Sequence, residues 1–357
     1  MADLRRRVWP VRRREADEPG EAPPLPSEPP APGDDPVAGE EPAPRLGMAA
    51  VRLAALGLAL VLTMAVTLVA LFVGGPPSVA ELRARAGVEG WSDLAIGVKD
   101  DQYGTAYQDE ETGIWSGFDI DVAYMIAEDL GFRRSEVRFY AMESEDRIRM
   151  QATDAQGRRV PVKMVIASYS ITPEREAKTG VTFSAPYLYT EQSVLTLAGH
   201  AKVSALEDLR NREVCTLSTA TSVTALERAG ATLSRRNKIS ECFVDLRAGS
   251  VDAVSTDAAI LAGWMARFPG EFAHWDLGLD AVEAWGVNVG ENQALKTLVD
   301  LTLYRSLKDP RDDRWEVAYE RNLQSEVPAN GRTPIAQAQQ PDVPKPDVRE
   351  QPWEEVF

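Results

Sequence analysis

The chain has 357 residues, of which 44% are hydrophobic, and its formal net charge is −16. This length can hold one large domain or two ordinary ones, and the hydrophobic share is sufficient for a sizeable core. The negative charge argues against nucleic acid as a partner, because phosphate binding requires clustered Lys and Arg. It does not exclude an anionic ligand, since a few local charges govern a binding pocket.

The cysteine and histidine content indicates neither a metal site nor a redox site. Two cysteines, Cys215 and Cys242, and two histidines, His200 and His274, form no Cys/His cluster and no CxxC pair. We therefore expect no metal and no cofactor. If the domain lies outside the cytosol, the two cysteines predict a disulfide, and two buried thiols are the alternative.

The first 75 residues predict a disordered segment followed by a membrane anchor. Residues 1–47 are rich in Arg, Pro, Glu and Ala, which is typical of disorder, and residues 53–73 carry no charge. At about 1.5 Å per residue, the second stretch crosses a bilayer core of about 30 Å. It is longer than the apolar part of a cleaved signal peptide and has no cysteine near its end, which favours an uncleaved signal anchor over a lipoprotein. A buried helix of a soluble protein is the alternative.

The basic residues predict the orientation of this anchor. Arg45 and Arg52 flank its N-terminal side, whereas the other side begins with Gly74-Gly75-Pro76-Pro77. The positive-inside rule then places the N-terminus in the cytoplasm. We expect a single-pass protein of the cell membrane with everything after residue 75 outside the cytoplasm.

Residues 81–325 have the alternating pattern of an α/β domain. We predict strands at 94–98, 137–140, 163–168, 193–198, 213–217 and 251–256. Helices are predicted within 116–131, around Arg147, at 295–307 and at 315–323. Residues 326–357 are rich in Pro and Gln, which predicts a disordered tail.

Three segments in this order resemble the bacterial extracellular solute-binding proteins of family 3, which bind polar amino acids for ABC transporters. They are SGFDIDVAYMIAEDLG at 116–131, IASYSITPEREAKTGVTFSAPYLYTEQSVL at 166–195 and VDAVSTDAAILAGW at 251–264. The motifs ASYSIT and APYL, with a cysteine in each of two matching segments, are most similar to the actinobacterial glutamate-binding branch. The resemblance covers about residues 81–325.

The resemblance implies two α/β lobes of the type II periplasmic-binding-protein fold, joined by two crossover strands and preceded by one transmembrane helix. Lobe 1 is expected at 81–191 plus 285–325, and lobe 2 at 192–284. The ligand is expected in the cleft between them, where polar loops follow parallel strands. Within lobe 2, Cys215 and Cys242 would form a structural bridge.

The resemblance also assigns groups to the backbone of an amino-acid ligand. Arg175 matches the residue that binds the α-carboxylate, because a guanidinium donates two parallel hydrogen bonds. Ser170 and Thr221 match further contacts to that carboxylate, although the loop of Thr221 lacks the glycines usual in the family. Asp257 matches the partner of the α-ammonium, with Ser168 beside it. The alternatives are a surface ion pair for Arg175, and helix caps for Asp257 and the two serines.

Side-chain specificity is predicted from Lys99 and Arg147, which match basic positions of acidic-amino-acid binders. They favour glutamate or aspartate, although either residue could be a solvated surface charge. Tyr103 is expected to pack on the aliphatic stem of the ligand or to be plain core. The stretch from Arg147 to Lys163 is longer than in the family and is expected to be a surface insertion.

Two functions from different classes fit these features. The first is a membrane-anchored binding protein that delivers glutamate to the permease subunits of an ABC importer. The second is a membrane sensor that reports amino-acid occupancy to a signalling partner. An enzyme is disfavoured, because the sequence shows no Ser-His-Asp, Cys-His or metal-ligand set and no second folded domain is expected after residue 325.

Overall fold

The structure is a computed structural model, and it describes residues 47–72, 75–278 and 282–349. The chain divides into two compact units, 1–73 and 74–357, which are described separately. The segment predicted to be disordered, 1–47, lies outside the described residues except for its last residue.

Helices, strands and short 3-10 turns alternate along the described chain. The helices are α1 Met48–Phe72, α2 Val79–Ala86, α3 Phe118–Asp129, α4 Pro173–Glu176, α5 Ser222–Ala229, α6 Ile239–Arg247, α7 Ala258–Arg267, α8 Gln293–Lys308 and α9 Arg314–Asn322. The strands are β1 Leu94–Val98, β2 Asp101–Gln102, β3 Ala106–Gln108, β4 Trp115–Ser116, β5 Val137–Ala141, β6 Gln151–Thr153, β7 Arg159–Pro161, β8 Met164–Val165, β9 Phe183–Leu197, β10 Glu213–Leu217, β11 Thr232–Arg236, β12 Ala253–Asp257, β13 Phe272–Trp275 and β14 Val282–Asn288.

The first unit contains α1, in which Met48–Val69 is long and apolar enough to cross a membrane by length and composition. Its large apolar side chains, such as Leu53, Leu60 and Val66, are exposed rather than packed into a core. The apolar run predicted at 53–73 is helical as far as Phe72, and the helix begins earlier, at Met48.

The first lobe is built around β1, whose LAIGV sequence is almost entirely buried. β1 pairs in parallel with β5 on one side and β8 on the other, as expected for a buried α/β sheet. α3 packs against β1 and α9. It begins after Gly117, which has a φ of 124° and a position where a Cβ would lie 2.3 Å from the Thr105 carbonyl oxygen, so only glycine fits there.

Two long strands join the lobes. β9 has 15 residues and pairs antiparallel with β14 up to Glu191, then with β12 from Gln192 onward. β14 also reaches β8 in lobe 1, through the pair of Asn288 and Val165. Because β9 is shared, the sheets of the two lobes are continuous along β9 and β14. The two-lobed α/β fold is therefore confirmed, whereas the exact lobe limits stay a prediction.

The second lobe contains the strand order β11-β10-β12-β9, with β13 also pairing β9. β10 pairs in parallel with β11 and β12, and β12 pairs antiparallel with β9. A disulfide joins Cys215 on β10 to Cys242 on α6, with 5.4 Å between their Cα atoms. The predicted disulfide is thus present, and it fastens a helix to the central strand of the smaller lobe.

The helix predicted around Arg147 is wrong. Residues Ser144–Asp146 form a 3-10 turn, and the following stretch is a β-hairpin of β6 and β7 that extends the sheet next to β5. The hairpin forms because Asp154 accepts hydrogen bonds from the backbone of Gln156 and Arg158 and so closes the turn. The expected insertion is therefore ordered, and it lies at the edge of the sheet.

The prediction of a disordered tail at 326–357 is wrong for residues 326–349, and residues 350–357 lie outside the described residues. Ile335, Val343 and Val348 are each at most 7% exposed. Composition alone missed this order because a few well-spaced apolar side chains join the main hydrophobic core, and the prolines reduce the chain entropy that folding removes. We call residues 324–349 the C-terminal segment.

The C-terminal segment follows α9 of lobe 1, contacts α7 of lobe 2 and then returns across β9 to lobe 1. Its hydrogen bonds, in chain order, are His274 Nδ1 with Asn330 Oδ1 (2.6 Å), Thr190 Oγ1 to the Ile335 carbonyl (2.6 Å), the Gln337 amide to the Tyr189 carbonyl (2.9 Å), Gln340 Nε2 to the Leu303 carbonyl (2.8 Å) and the Arg349 amide to the Pro77 carbonyl (2.9 Å). It is thus a third chain connection between the lobes, beside the two crossover strands.

His274 joins this segment to lobe 2, since its other nitrogen, Nε2, lies 2.7 Å from Ser193 Oγ. Burial lowers the pKa of His274 to about 4, so the ring is neutral at physiological pH. Ser193, His274 and Asn330 have the order of a hydrolytic triad, but Ser193 is fully buried within β9. The three side chains therefore have a structural role, since they connect β9, β13 and the C-terminal segment.

Candidate functional site

The two lobes enclose a small polar cavity. Its lining residues are Arg147, Ser168, Ser170 and Arg175 from lobe 1, and Leu217, Ala220, Thr221, Thr256, Asp257 and Ile260 from lobe 2. The space between them is about 10 Å³, roughly the room for the centre of one water molecule. Six of the eight residues predicted to contact a ligand therefore lie around one cavity, with the lobes in direct contact.

Arg175 lies in α4, which is set by Thr172 at its N-cap and Pro173 at its first position. The guanidinium carbon is 4.7 Å from the centre of the Tyr169 ring. Its two terminal nitrogens donate to the Ser170 carbonyl and, across the lobes, to the Thr219 carbonyl, each at 2.6 Å. Burial lowers the pKa of Arg175, but a guanidinium stays charged at neutral pH.

Arg147 follows the 3-10 turn of Ser144–Asp146 and is also within 4.5 Å of the Tyr169 ring centre. It is buried, and its hydrogen-bond acceptors are the carbonyls of Ser144, Ala167 and Ser168 and the hydroxyl of Thr219. Burial, with the charge of Arg175 as a second cause, lowers the pKa of Arg147 to about 10. Two protonated guanidinium groups thus lie against one aromatic ring.

Asp257 ends β12 and stands at the N-terminus of α7, but its side chain makes no capping hydrogen bond. Its Oδ2 instead accepts a 2.6 Å hydrogen bond from Trp285 Nε1 on β14. Burial and the nearby Glu283 raise the pKa of Asp257 to about 7, against the opposing effects of Trp285 and Arg175. The Asp257 side chain therefore lines the cavity and does not cap α7.

Ser168 has a left-handed backbone, with a φ of 47°, and this conformation is held by a buried acid. Asp119 Oδ2 accepts from the Ser168 amide at 2.9 Å, and Asp119 Oδ1 accepts from the Tyr187 hydroxyl at 2.9 Å. The Ser168 hydroxyl donates to Gln102 Oε1 at 2.7 Å. Burial raises the pKa of Asp119 to about 7, and the hydrogen bonds from Tyr187 and Ser168 oppose that shift. Hydrogen bonds from Ser168 to Asp119 and Gln102 thus fix the loop that carries the cavity serines.

Thr221 lines the cavity from lobe 2, at the start of α5. Its neighbour Thr219 contacts lobe 1 directly, since its hydroxyl also donates to the Ser144 carbonyl at 3.1 Å. The loop therefore reaches the arginines although it lacks the glycines that are usual at this place.

Lys99 does not line the cavity. Its Nζ is fully buried and donates to the Met142 carbonyl (3.0 Å), the Ser144 hydroxyl (3.3 Å) and the Asn237 carbonyl of lobe 2 (3.2 Å). Burial, opposed by Asp101, lowers the pKa of Lys99 to about 8. It belongs to a second contact between the lobes, which also contains the ion pair of Asp100 and Lys238 at 2.5 Å.

The structure does not bring Tyr103 to the cavity either. Its ring is 4.4 Å from that of Tyr107 and 5.0 Å from that of Trp264, centre to centre. The backbone of Tyr103 also lies against α7, where a Cβ on Gly263 would be 2.0 Å from the Tyr103 carbonyl oxygen. Tyr103 therefore joins an aromatic cluster between the lobes, in agreement with its alternative assignment as core.

Several residues of the site were missed by sequence reasoning. Tyr169 lies between the two cavity serines in the quoted motif, but an aromatic residue in a strand-end loop has no specific signal. Asp119 in the GFD motif is explained equally well by the preference for acids in the first turn of a helix. Thr219 and Trp285 reach the site only through tertiary contacts, so the sequence carries no local signal for them.

Two α/β lobes joined by crossover strands, with buried cations and an anion at their junction, define a hinged ligand-binding protein. The family comparison agrees, since the family model of the bacterial extracellular solute-binding proteins, family 3, matches residues 94–319, more than half of the chain. The chain belongs to this family.

Two relatives of known role are binding proteins for amino acids. The chain is 32% identical over 187 residues to the glutamate-binding protein GluB of Corynebacterium efficiens, which covers 50% of this chain and 60% of the relative. It is 30% identical over 173 residues to the ABC transporter glutamine-binding protein GlnH of Bacillus subtilis, covering 48% and 60%. The match thus spans about 60% of the length of these relatives.

Solved structures share the fold. An ancestral arginine-binding protein bound to glutamine superposes with a TM-score of 0.56 at 28% identity, covering 65% of this chain and 98% of that one. The cysteine-binding protein of Campylobacter jejuni superposes with a TM-score of 0.60 at 21% identity, covering 71% and 96%, which supports the fold alone.

Proposed function

We propose that this chain is an extracytoplasmic binding protein for an acidic amino acid, with glutamate as its main ligand. The observation that carries the proposal is the charge of the cavity. Among the described residues that line it, Arg147 and Arg175 are cations and Asp257 is an anion above its pKa of about 7, which leaves one positive charge uncompensated there. An acidic amino acid carries one net negative charge and therefore neutralises the cavity, whereas glutamine would leave a buried charge unpaired at a cost of several kcal/mol.

In this proposal the two ends of the ligand backbone are bound by groups from different lobes. Arg175 of lobe 1 donates two hydrogen bonds to the α-carboxylate, with Ser170 and Thr221 beside it, and Asp257 of lobe 2 accepts from the α-ammonium, with Ser168 near it. Arg147 pairs with the side-chain carboxylate. Lys99 acts at a distance, as a buried positive charge next to that end of the cleft.

The mechanism that follows is a hinge motion. Arg175 and Arg147 now bond to Thr219, so a ligand can reach them only if the lobes separate. The ligand carboxylates then replace the carbonyl and hydroxyl of Thr219 as acceptors for the guanidinium groups. Since the ligand contacts both lobes, its binding shifts the equilibrium between open and closed forms towards closure.

Calorimetry with a panel of amino acids tests the ligand class. We expect the full-length protein in detergent micelles to bind L-glutamate or L-aspartate more tightly than L-glutamine, L-asparagine and L-arginine. Preferential binding of glutamine or of a basic amino acid would refute the acidic assignment. Failure to bind any amino acid would refute the proposed function as a whole.

The proposed cellular role is delivery to the permease subunits of an ABC importer from a single-pass anchor. Support comes from the apolar exposed helix α1, from Arg45 before it and Arg52 near its N-terminal end, and from the ABC transporter role of the B. subtilis relative. Loss of labelled glutamate uptake in a deletion strain would support transport. Unchanged uptake, with a lost transcriptional or kinase response to glutamate, would instead support the sensor alternative.

The anchor is tested separately. An uncleaved anchor predicts that the membrane-bound protein retains α1, with a mass of at least the 39.1 kDa of these 357 residues, and that added protease removes the binding domain from intact cells. A shorter mature form without residues 1–73 would show that α1 is a cleaved signal.

A further inference from the structure

Trp285 lies where the second crossover strand meets both walls of the cavity. It is fully buried on β14, and its indole N–H donates to Asp257 Oδ2 at 2.6 Å. Its backbone lies opposite Ser170 in an isolated antiparallel bridge, which belongs to the loop that leads to Arg175. One residue therefore contacts both the lobe 2 anion and the lobe 1 loop.

The backbone on either side of Trp285 fixes this geometry. The Ile171 amide donates to the Ala284 carbonyl at 2.7 Å, and the Gly286 amide donates to the Tyr169 carbonyl at 3.0 Å. At Gly286 a Cβ would lie 2.8 Å from the end of the Ile171 side chain, so a larger residue there would require Ile171 to shift. The register between β14 and β9 also shifts between Trp285 and Gly286. The position of the indole relative to the loop of Arg175 is thus fixed.

We propose that Trp285 is a positioning residue that sets Asp257 at the correct distance from Arg175 to hold both ends of one α-amino acid. This inference rests on the proposed function, and it adds the part of the hinge that couples the two halves of the site. Because Oδ2 of Asp257 is engaged by the indole, the carboxylate is oriented before the ligand arrives. Such preorganisation reduces the entropy cost of binding.

The charged surroundings of Asp257 give a second consequence. Glu283 approaches from β14, Arg175 from α4, Arg147 from the turn before β6, and the Tyr187 hydroxyl lies on β9. The indole hydrogen bond lowers the pKa of Asp257 within this environment. Its removal raises the pKa of Asp257 further, so the loss of ammonium binding on acidification begins at a higher pH.

The test compares Trp285→Phe with Trp315→Phe in the full-length protein in micelles. Trp315 is a matched control, because it is also buried and donates through Nε1, but its acceptor is the Tyr187 carbonyl at 2.8 Å and not Asp257. Calorimetry uses L-glutamate and glutarate, which has both carboxylates but no ammonium, between pH 5.5 and 9. A variant with 3-benzothienylalanine at position 285, where sulfur replaces the N–H, keeps the shape if the Phe variant fails to fold.

Loss of the charge-assisted hydrogen bond predicts at least about tenfold weaker glutamate binding at pH 7. The affinity for glutarate should not fall, and the glutamate pH profile should shift upward. Trp315→Phe should lower the melting temperature without either change. Wild-type glutamate affinity and pH profile in the position 285 variants would overturn this inference alone. Equal losses for glutamate and glutarate would also overturn it, whereas no amino-acid binding by the wild type would overturn the proposed function together with it.

Discussion

Replacement of Arg147 by glutamine should change the ligand preference of the cavity. Arg147 is buried and is one of two cations facing one anion, so Arg147→Gln leaves the lining with no net charge. The side-chain carboxylate of glutamate then has no cation, while the amide of glutamine can still form a hydrogen bond with the new side chain. We therefore expect the variant to lose more affinity for glutamate than for glutamine.

The magnitude follows from what each ligand loses. Truncation of one partner in a buried charge pair costs about 2–5 kcal/mol, which corresponds to roughly 30-fold to several-thousand-fold weaker glutamate binding. A neutral hydrogen bond is worth about 0.5–1.5 kcal/mol, so glutamine binding should weaken by about tenfold at most. The ratio of glutamate to glutamine affinity should consequently fall by at least about threefold, and by a hundredfold or more at the upper end.

Calorimetry at pH 7.5 and 0.15 M salt measures both affinities in the full-length protein. Arg147 has four acceptors in the structure, so stability will also fall, and a control for that loss is needed. Arg314→Gln serves as control, because Arg314 bonds to Asp312 and Asp129 in the same lobe but away from the cavity. An unchanged glutamate-to-glutamine ratio in Arg147→Gln would refute the charge argument.

Three further outcomes follow from the geometry. Arg175→Ala should abolish the binding of every α-amino acid, measured by calorimetry, and near-normal affinity would show that Arg175 does not bind the ligand. Because the charged form of Asp257 binds the ammonium and its pKa is about 7, glutamate affinity should fall up to tenfold per pH unit below pH 7; a flat profile from pH 5.5 to 8 would contradict this role. Reduction of the Cys215–Cys242 disulfide, which closes a loop of 27 residues, should lower the free energy of unfolding by about 3.5 kcal/mol in chemical denaturation, and no change would contradict the chain-entropy account.

Much of the fold could be predicted because its signals are local. The apolar run LAIGV became β1 and the EVCTL run became β10 with the predicted bounds. The helix predicted within 116–131 is α3, which ends just before Gly131. By contrast, the helix expected around Arg147 is absent from the described structure at that place, because the turn at Asp154 favours a hairpin. The C-terminal segment is ordered because its side chains fit a surface that only the folded domain provides.

Part of the candidate site could likewise be predicted from the sequence, and part depends on tertiary contacts. Motif positions brought six predicted residues to one cavity, since loops that follow adjacent parallel strands meet at one edge of a sheet. They could not place Lys99, whose ammonium turns towards carbonyls from both lobes, or Tyr103, whose ring packs on α7.

The sequence by itself determined the apolar helix, the α/β class and the chemical types in the cleft, and it left the disulfide open against two buried thiols. Each of these depends on composition, on short periodic patterns or on residues that stand in one motif. Only the tertiary structure decided which side chains meet, because the partners of Asp257 and Arg147 come from strands and loops distant in the chain. The long strand β9, continuous through both lobes, is the physical reason that these distant segments converge on one cavity.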